Sequence, residues 1–172
     1  RVLFRSLFII FFCFGCYVFS GADTTISSEE LKHLAGCWKG SITYLDYTSN
    51  KSFSMPANIS INNFGKTNII TGSLVYPDEP AANTLDTIFI SKDGRSLNNA
   101  PITSKTKFGK DSLQLVTEVS GIDGNDNQPA IIRHVYTMGR TTYIIRKEVQ
   151  FVGQSNWIMR NEYKFTRAAS CN

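Results

Sequence analysis

From Gly36 onward the chain alternates between apolar and polar positions. Runs rich in β-branched and aromatic residues occupy positions 37–47, 57–63, 68–76, 87–91, 102–108, 113–119, 131–138, 142–152 and 156–165, each of strand length. Turn-forming clusters separate them, among them Pro77-Asp78-Glu79-Pro80, Lys92-Asp93-Gly94, Gly124-Asn125-Asp126-Asn127 and Gly139-Arg140. About nine strands joined mainly by hairpin-length connections predict an all-β chain, an antiparallel meander closing into a barrel of about 8–10 strands. The stretch 77–86 reads as a rim loop. Ahead of the strands stands one short helix. Ser27 can cap it, Glu30 completes a capping box, Leu31, Leu34 and Ala35 form an apolar stripe, and Gly36 ends it. Such a helix predicts a plug at one end of the barrel.

Period-two alternation assigns the faces. Trp38, Gly40, Ile42, Tyr44 and Asp46 share one side of the first run. The last run separates Trp157, Met159, Asn161, Tyr163 and Phe165 from Ile158, Arg160, Glu162 and Lys164. With the more apolar sets inward, Arg146, Glu148, Arg160 and Glu162 become cross-strand ion pairs on the outside, each contributing below ~1 kcal/mol. The alternative turns some of these charges into the lumen as a polar platform. Even the first filling leaves Tyr44, Asp46, His134, Tyr136, Asn161 and Tyr163 inside among the hydrophobes. That mixture suits a pocket for one small, partly polar molecule.

Residues 1–22 carry the pattern of a secretory leader. Arg1 and Arg5 precede an apolar core, and Ser20-Gly21-Ala22 supplies small residues for cleavage. The expected organisation is therefore a leader at 1–22, a helix or plug at 23–35 and a barrel at 36–172. Lipoprotein processing at Cys16 is the rival reading, and either route delivers the protein to the periplasm or the extracellular space. The full chain has 18 basic and 14 acidic side chains. Losing Arg1 and Arg5 leaves 16 against 14, a net +2, too balanced for a dedicated nucleic-acid or anionic-membrane binder. No transmembrane span is expected in the processed chain. Cys37 and Cys171 are then the remaining cysteines, an even number in an exported chain, and closure of a barrel brings the first and last strands together. The pair predicts one disulfide, contributing roughly 4–5 kcal/mol in the chain-entropy model.

The candidate chemistry is sparse. Asp46, with Tyr44 beside it, falls at the end of the first strand on the inward side. A carboxylate placed there needs a partner such as Arg133 or His134, or its pKa rises. This makes Asp46 a candidate ligand contact or general base, against the plainer reading of an aspartate closing a strand end. His134 inside a barrel is the residue type that holds haem iron in nitrobindin-like barrels. No second feature supports haem, and no histidine–carboxylate cluster has metal-ligand spacing, so neither a cofactor nor a metal is expected. The run Gly121-Ile122-Asp123-Gly124-Asn125-Asp126-Asn127 has the composition of a calcium loop with its glycine misplaced, and a hairpin turn explains it better. Nucleophile-elbow, P-loop and dinucleotide fingerprints are missing from the sequence.

Leu34-Ala35-Gly36-Cys37-Trp38-Lys39-Gly40, Tyr44-Leu45-Asp46-Tyr47, the 77–80 turn, Ile145-Arg146-Lys147-Glu148-Val149 and Arg160-Asn161-Glu162-Tyr163-Lys164-Phe165 together resemble exported lipocalin-like, calycin-type β-barrel proteins of bacteria, notably of the Bacteroidetes kind. The resemblance implies structural roles for Gly36 and Trp38, with Arg160 or Arg167 packing on the indole. It carries no reaction. Three functions are compatible with it: a non-enzymatic binder of a small, partly apolar molecule, a barrel hydrolase or isomerase using Asp46, Tyr44 and His134, or a ligand-free interaction domain of the cell envelope.

Overall fold

A computed structural model describes residues 24–46, 48–63, 68–109 and 111–171; the leader expected at 1–22 lies outside them. The helix α1 (Ser28–Leu31) begins at Ser27, whose side chain accepts the Glu30 amide while the Glu30 carboxylate reaches back, a complete capping box. A 3-10 turn, Lys32–Leu34, continues it. Ten antiparallel strands follow: β1 (Gly36–Asp46), β2 (Lys51–Asn63), β3 (Ile69–Val75), β4 (Thr84–Phe89), β5 (Ser96–Leu97), β6 (Ala100–Lys107), β7 (Leu113–Asp123), β8 (Gln128–Met138), β9 (Thr142–Phe151) and β10 (Ile158–Ala168).

The sheet runs β4-β3-β2-β1-β10-β9-β8-β7-β6-β5, a meander in which the first and last strands pair. The nearly closed seam therefore lies at β4 and β5. It is drawn together by an Ile90–Leu97 bridge and by Asn98, whose backbone amide donates to the Phe89 carbonyl at 2.7 Å. The Asn98 side-chain oxygen accepts the Phe89 amide, also at 2.7 Å.

Strand extents depart from the alternation in several places: β7 runs on to Asp123, β8 starts already at Gln128, and three further departures stand out. β2 starts at Lys51 and runs through Pro56, which pairs with Ser41. β3 covers β2 only from Asn58 onward, so Pro56 has a ladder neighbour on one side alone, where a missing N–H is tolerated. Residues 84–86, read as rim loop, are the start of β4. The third departure is a β-bulge between Met159 and Asn161. It resets the alternation of β10: Met159 turns outward, and Arg160, expected outside, turns inward and is buried.

The register builds the interior in tiers. Leu113, Met138, Tyr143, Phe165, Gly40 and Ala57 lie side by side across β7, β8, β9, β10, β1 and β2; the next tier is Leu115, Tyr136, Ile145, Tyr163, Ile42 and Met55. A third is Thr117, His134, Lys147, Asn161, Tyr44 and Phe53. The barrel thus grades from an apolar, plugged end to a polar end. On the outside, Glu118, Arg133, Glu148, Arg146 and Glu162 form a chain of ion pairs across four strands, with closest contacts of 2.8 Å for Arg133–Glu148 and 2.6 Å for Arg146–Glu162. Arg133 also covers the Trp157 ring at 3.6 Å.

Candidate functional site

The plugged end is densely paired, with the buried His33 Nε2 an exception that has no hydrogen-bonding partner among the described residues. Trp38 is buried, and its indole N–H donates to the Leu34 carbonyl at 2.8 Å, tying β1 to the helical plug. The guanidinium carbon of Arg167 stands 4.0 Å from the centre of the indole ring. Arg167 also donates to the carbonyls of His33, Ala35 and Arg140. Of the two arginines expected as partners for Trp38, Arg160 is therefore not the one: it lies at the other end of the barrel. The Cys37–Cys171 disulfide fastens β1 to the tail beyond β10. Glu30 adds ion pairs to Lys105 at 2.9 Å and Lys107 at 3.1 Å, locking the plug to β6.

Between the plug and the polar end lies a cavity of about 270 Å³, just below the ~300 Å³ at which ligand pockets usually begin. Leu74, Ile88, Ile145, Tyr136, Tyr143 and Tyr163 give it apolar and aromatic walls, into which Asp86, Asn98, His134 and Asn161 bring polar groups. Tyr163 shares a 2.6 Å hydroxyl–hydroxyl hydrogen bond with Tyr76. The Tyr143 hydroxyl is fully buried with no hydrogen-bonding partner among the described residues.

The electrostatics of this cavity follow from burial. Desolvation pushes the Asp86 carboxyl above the usual carboxylate range, partly opposed by the Thr87 amide donating to it at 2.9 Å. Burial, reinforced by the Asp86 charge, pushes the Tyr136 phenol up to about 12. Tyr143 and Tyr163 are raised in the same direction, burial again leading. Burial and then the charge of Lys147 lower His134. At neutral pH the cavity therefore offers protonated phenols and a neutral imidazole, groups that can donate or accept hydrogen bonds without carrying charge.

The polar end is closed differently. The β7–β8 hairpin carries Asp123, which sits between two cations: Lys147 Nζ at 2.6 Å and Arg160 Nε at 3.0 Å. The Asp123 and Arg160 side chains are only 6% and 5% exposed. Beside them a cleft of about 350 Å³ is lined by Tyr44, Asp46, Asn125, Lys147, Arg160 and Asn161, among others. Asn161 lines both the cleft and the inner cavity.

The six pocket residues expected from the sequence thus divide. His134, Tyr136, Asn161 and Tyr163 converge on the inner cavity, while Tyr44 and Asp46 stand at the outer cleft. Asp46 accepts the Thr48 amide at 3.0 Å and the Ser49 hydroxyl at 2.6 Å, and these bonds hold its carboxyl below the ordinary value. That is the arrangement of a carboxylate closing a strand end, with neither of its expected partners, Arg133 and His134, among its hydrogen bonds. The inner carboxyl is Asp86, which shares the inward face of β4 with Ile88; that alternation is readable in Asp86-Thr87-Ile88 once 84–86 is taken as strand. Tyr143, Lys147 and Asp123 likewise belong to the site. Among the described residues, no group of three or more His, Cys, Asp or Glu side chains is placed to hold a metal ion. No helix among them is long and apolar enough to cross a membrane.

No protein-family model and no curated protein matches this sequence. The crystal structure of Rv2717c from M. tuberculosis matches the fold with a TM-score of 0.53, covering 81% of this chain and 96% of that one at 10% identity. At that identity the likeness shows the fold, a near-closed antiparallel barrel.

Proposed function

We propose that this chain is an exported barrel that holds one small, partly polar and partly apolar molecule in its lumen and performs no chemistry on it. The observation that carries the reading is the Tyr143 hydroxyl, fully buried at the wall of the cavity and without a partner among the described residues. An unpaired buried hydroxyl costs about 1–3 kcal/mol, and a guest atom in the cavity relieves that cost. The groups beside it, Asp86, Asn98, His134 and Asn161, are spaced around aromatic walls, which favours a guest with an apolar body and a few polar atoms. Export is supported by the Cys37–Cys171 disulfide and by the leader-like composition of residues 1–22.

Native mass spectrometry of the protein purified from its own host tests this reading. A single added small-molecule mass is the expected result. An unadorned mass, together with failure of a broad metabolite and lipid screen, would overturn it. One observation favours a catalytic alternative: Asp86 is a half-buried carboxyl of raised pKa close enough to Tyr136 for its charge to act on that phenol. In a barrel hydrolase or isomerase the acid–base role falls to Asp86, with Asp46 committed to its turn.

A further inference from the structure

We propose that Lys147 and Arg160 form the head-group site for a small amphipathic anion, an acid whose apolar body lies in the inner cavity, and that Asp123 fills this site when no such anion is bound. The inference rests on the binding reading above and specifies the chemical class of its guest.

Two inward positions on neighbouring strands supply the cations. Lys147 stands in register with His134 on one side and Asn161 on the other, both of which line the cavity. Arg160 faces inward only because the bulge breaks the alternation of β10. A bulge gives up regular ladder pairing locally and re-aims a side chain, a device often found beside functional sites. Both cations converge on the Asp123 carboxylate, one on each oxygen, at 2.6 and 3.0 Å. This is the geometry in which a carboxylate from any source is recognised by charge-assisted hydrogen bonds. An ion cluster around the buried Asp123–Arg160 pair is a poor way merely to close a barrel, since apolar side chains of similar volume often close it at no lower stability.

Of the titratable groups around the two spaces, His134 is held neutral and Asp86 lies on the inner cavity wall, away from the cleft that Lys147 and Arg160 line. Asp46 lines that cleft as a carboxylate and opposes an anion there, but its charge is engaged by the Thr48 amide and the Ser49 hydroxyl. Because Asn161 borders both spaces, a guest with its body against Tyr136, Tyr143 and Ile145 can place its acid at Lys147 and Arg160.

The test uses three probes sharing one ring system: naphthalene-2-carboxylate, its neutral carboxamide and naphthalene-2-methylammonium. Each is titrated calorimetrically into the disulfide-bonded chain at pH 7. The carboxylate is expected to bind about tenfold or more tightly than the carboxamide, with the ammonium weakest. Asp123→Asn should tighten the carboxylate several-fold by weakening the internal competitor, and Lys147→Gln with Arg160→Gln should abolish the preference. Equal binding of the carboxylate and carboxamide to the unmutated protein overturns the head-group site while leaving the cavity reading intact. Failure of all three probes to bind likewise overturns the head-group site, and the co-purification and ligand screen above then decide the cavity reading by themselves. The comparison of head groups needs no variant, so it holds even if a substitution at Asp123 prevents folding.

Discussion

The two ends of the barrel use the same kinds of residue to opposite effect. At the plugged end the Trp38 indole N–H is paired, Arg167 satisfies three backbone carbonyls and covers the ring, and the disulfide fastens the tail. Deeper in the lumen the Tyr143 hydroxyl has no partner among the described residues, desolvation raises the half-buried Asp86 carboxyl, and burial lowers His134. The first region is tied down by these contacts, although its buried His33 Nε2 has no hydrogen-bonding partner among the described residues. The second gives stability up, as binding sites do. Substitutions at the plug should therefore unfold the protein, and substitutions in the lumen should leave the fold intact or strengthen it.

The sharpest break is Gly40→Ala. An added Cβ would sit 2.0 Å from the Lys164 carbonyl oxygen and 2.9 Å from the Phe165 Cα, backbone atoms that cannot move without parting β1 from β10. A loss of about 3 kcal/mol or more is expected in urea denaturation; a loss below ~1 kcal/mol would mean that β1 and β10 can part without cost. Trp38→Ala should follow at about 3–5 kcal/mol, because it removes a buried indole and the anchor of the plug together.

In the lumen the sign reverses. The folded-state pKa of Asp86 lies above its unfolded value, so its ionisation costs stability as pH rises out of the carboxylate range and costs nothing well below it. Asp86→Asn should raise Tm by a few degrees at pH 7, and the gain should vanish by about pH 3. A lower Tm at pH 7 would make Asp86 a structural residue. The smallest effect belongs to the outer charge ladder. Glu162→Gln breaks a 2.6 Å pair to Arg146, whose side chain is 42% exposed, and should cost less than ~1 kcal/mol, fading in high salt.

The same contrast explains what could be read from the sequence. The plug was legible because its signals are local: a capping box within four residues and an indole at the head of an alternating strand. The meander followed from hairpin-length turns, and four of the six expected pocket residues share the inner cavity. The failures were of depth and phase. Alternation places Asp46 on the correct face but carries no information about how far along the barrel it lies, and past the last tier the carboxylate is captured by its own turn. Arg160 was misplaced because a bulge inserts one residue without a mark in the sequence, reversing every side chain before it in β10. Asp86 was hidden because a neighbouring proline-rich turn made the start of β4 read as loop.

On the binding reading, Tyr143 serves a guest rather than the fold. Its most direct test is Tyr143→Phe, made in the native host and followed by native mass spectrometry and by unfolding of the stripped protein. The variant should be at least as stable as the parent and should retain less of the co-purifying small molecule. A variant that loses more than ~1 kcal/mol of stability while keeping the same bound mass would contradict it.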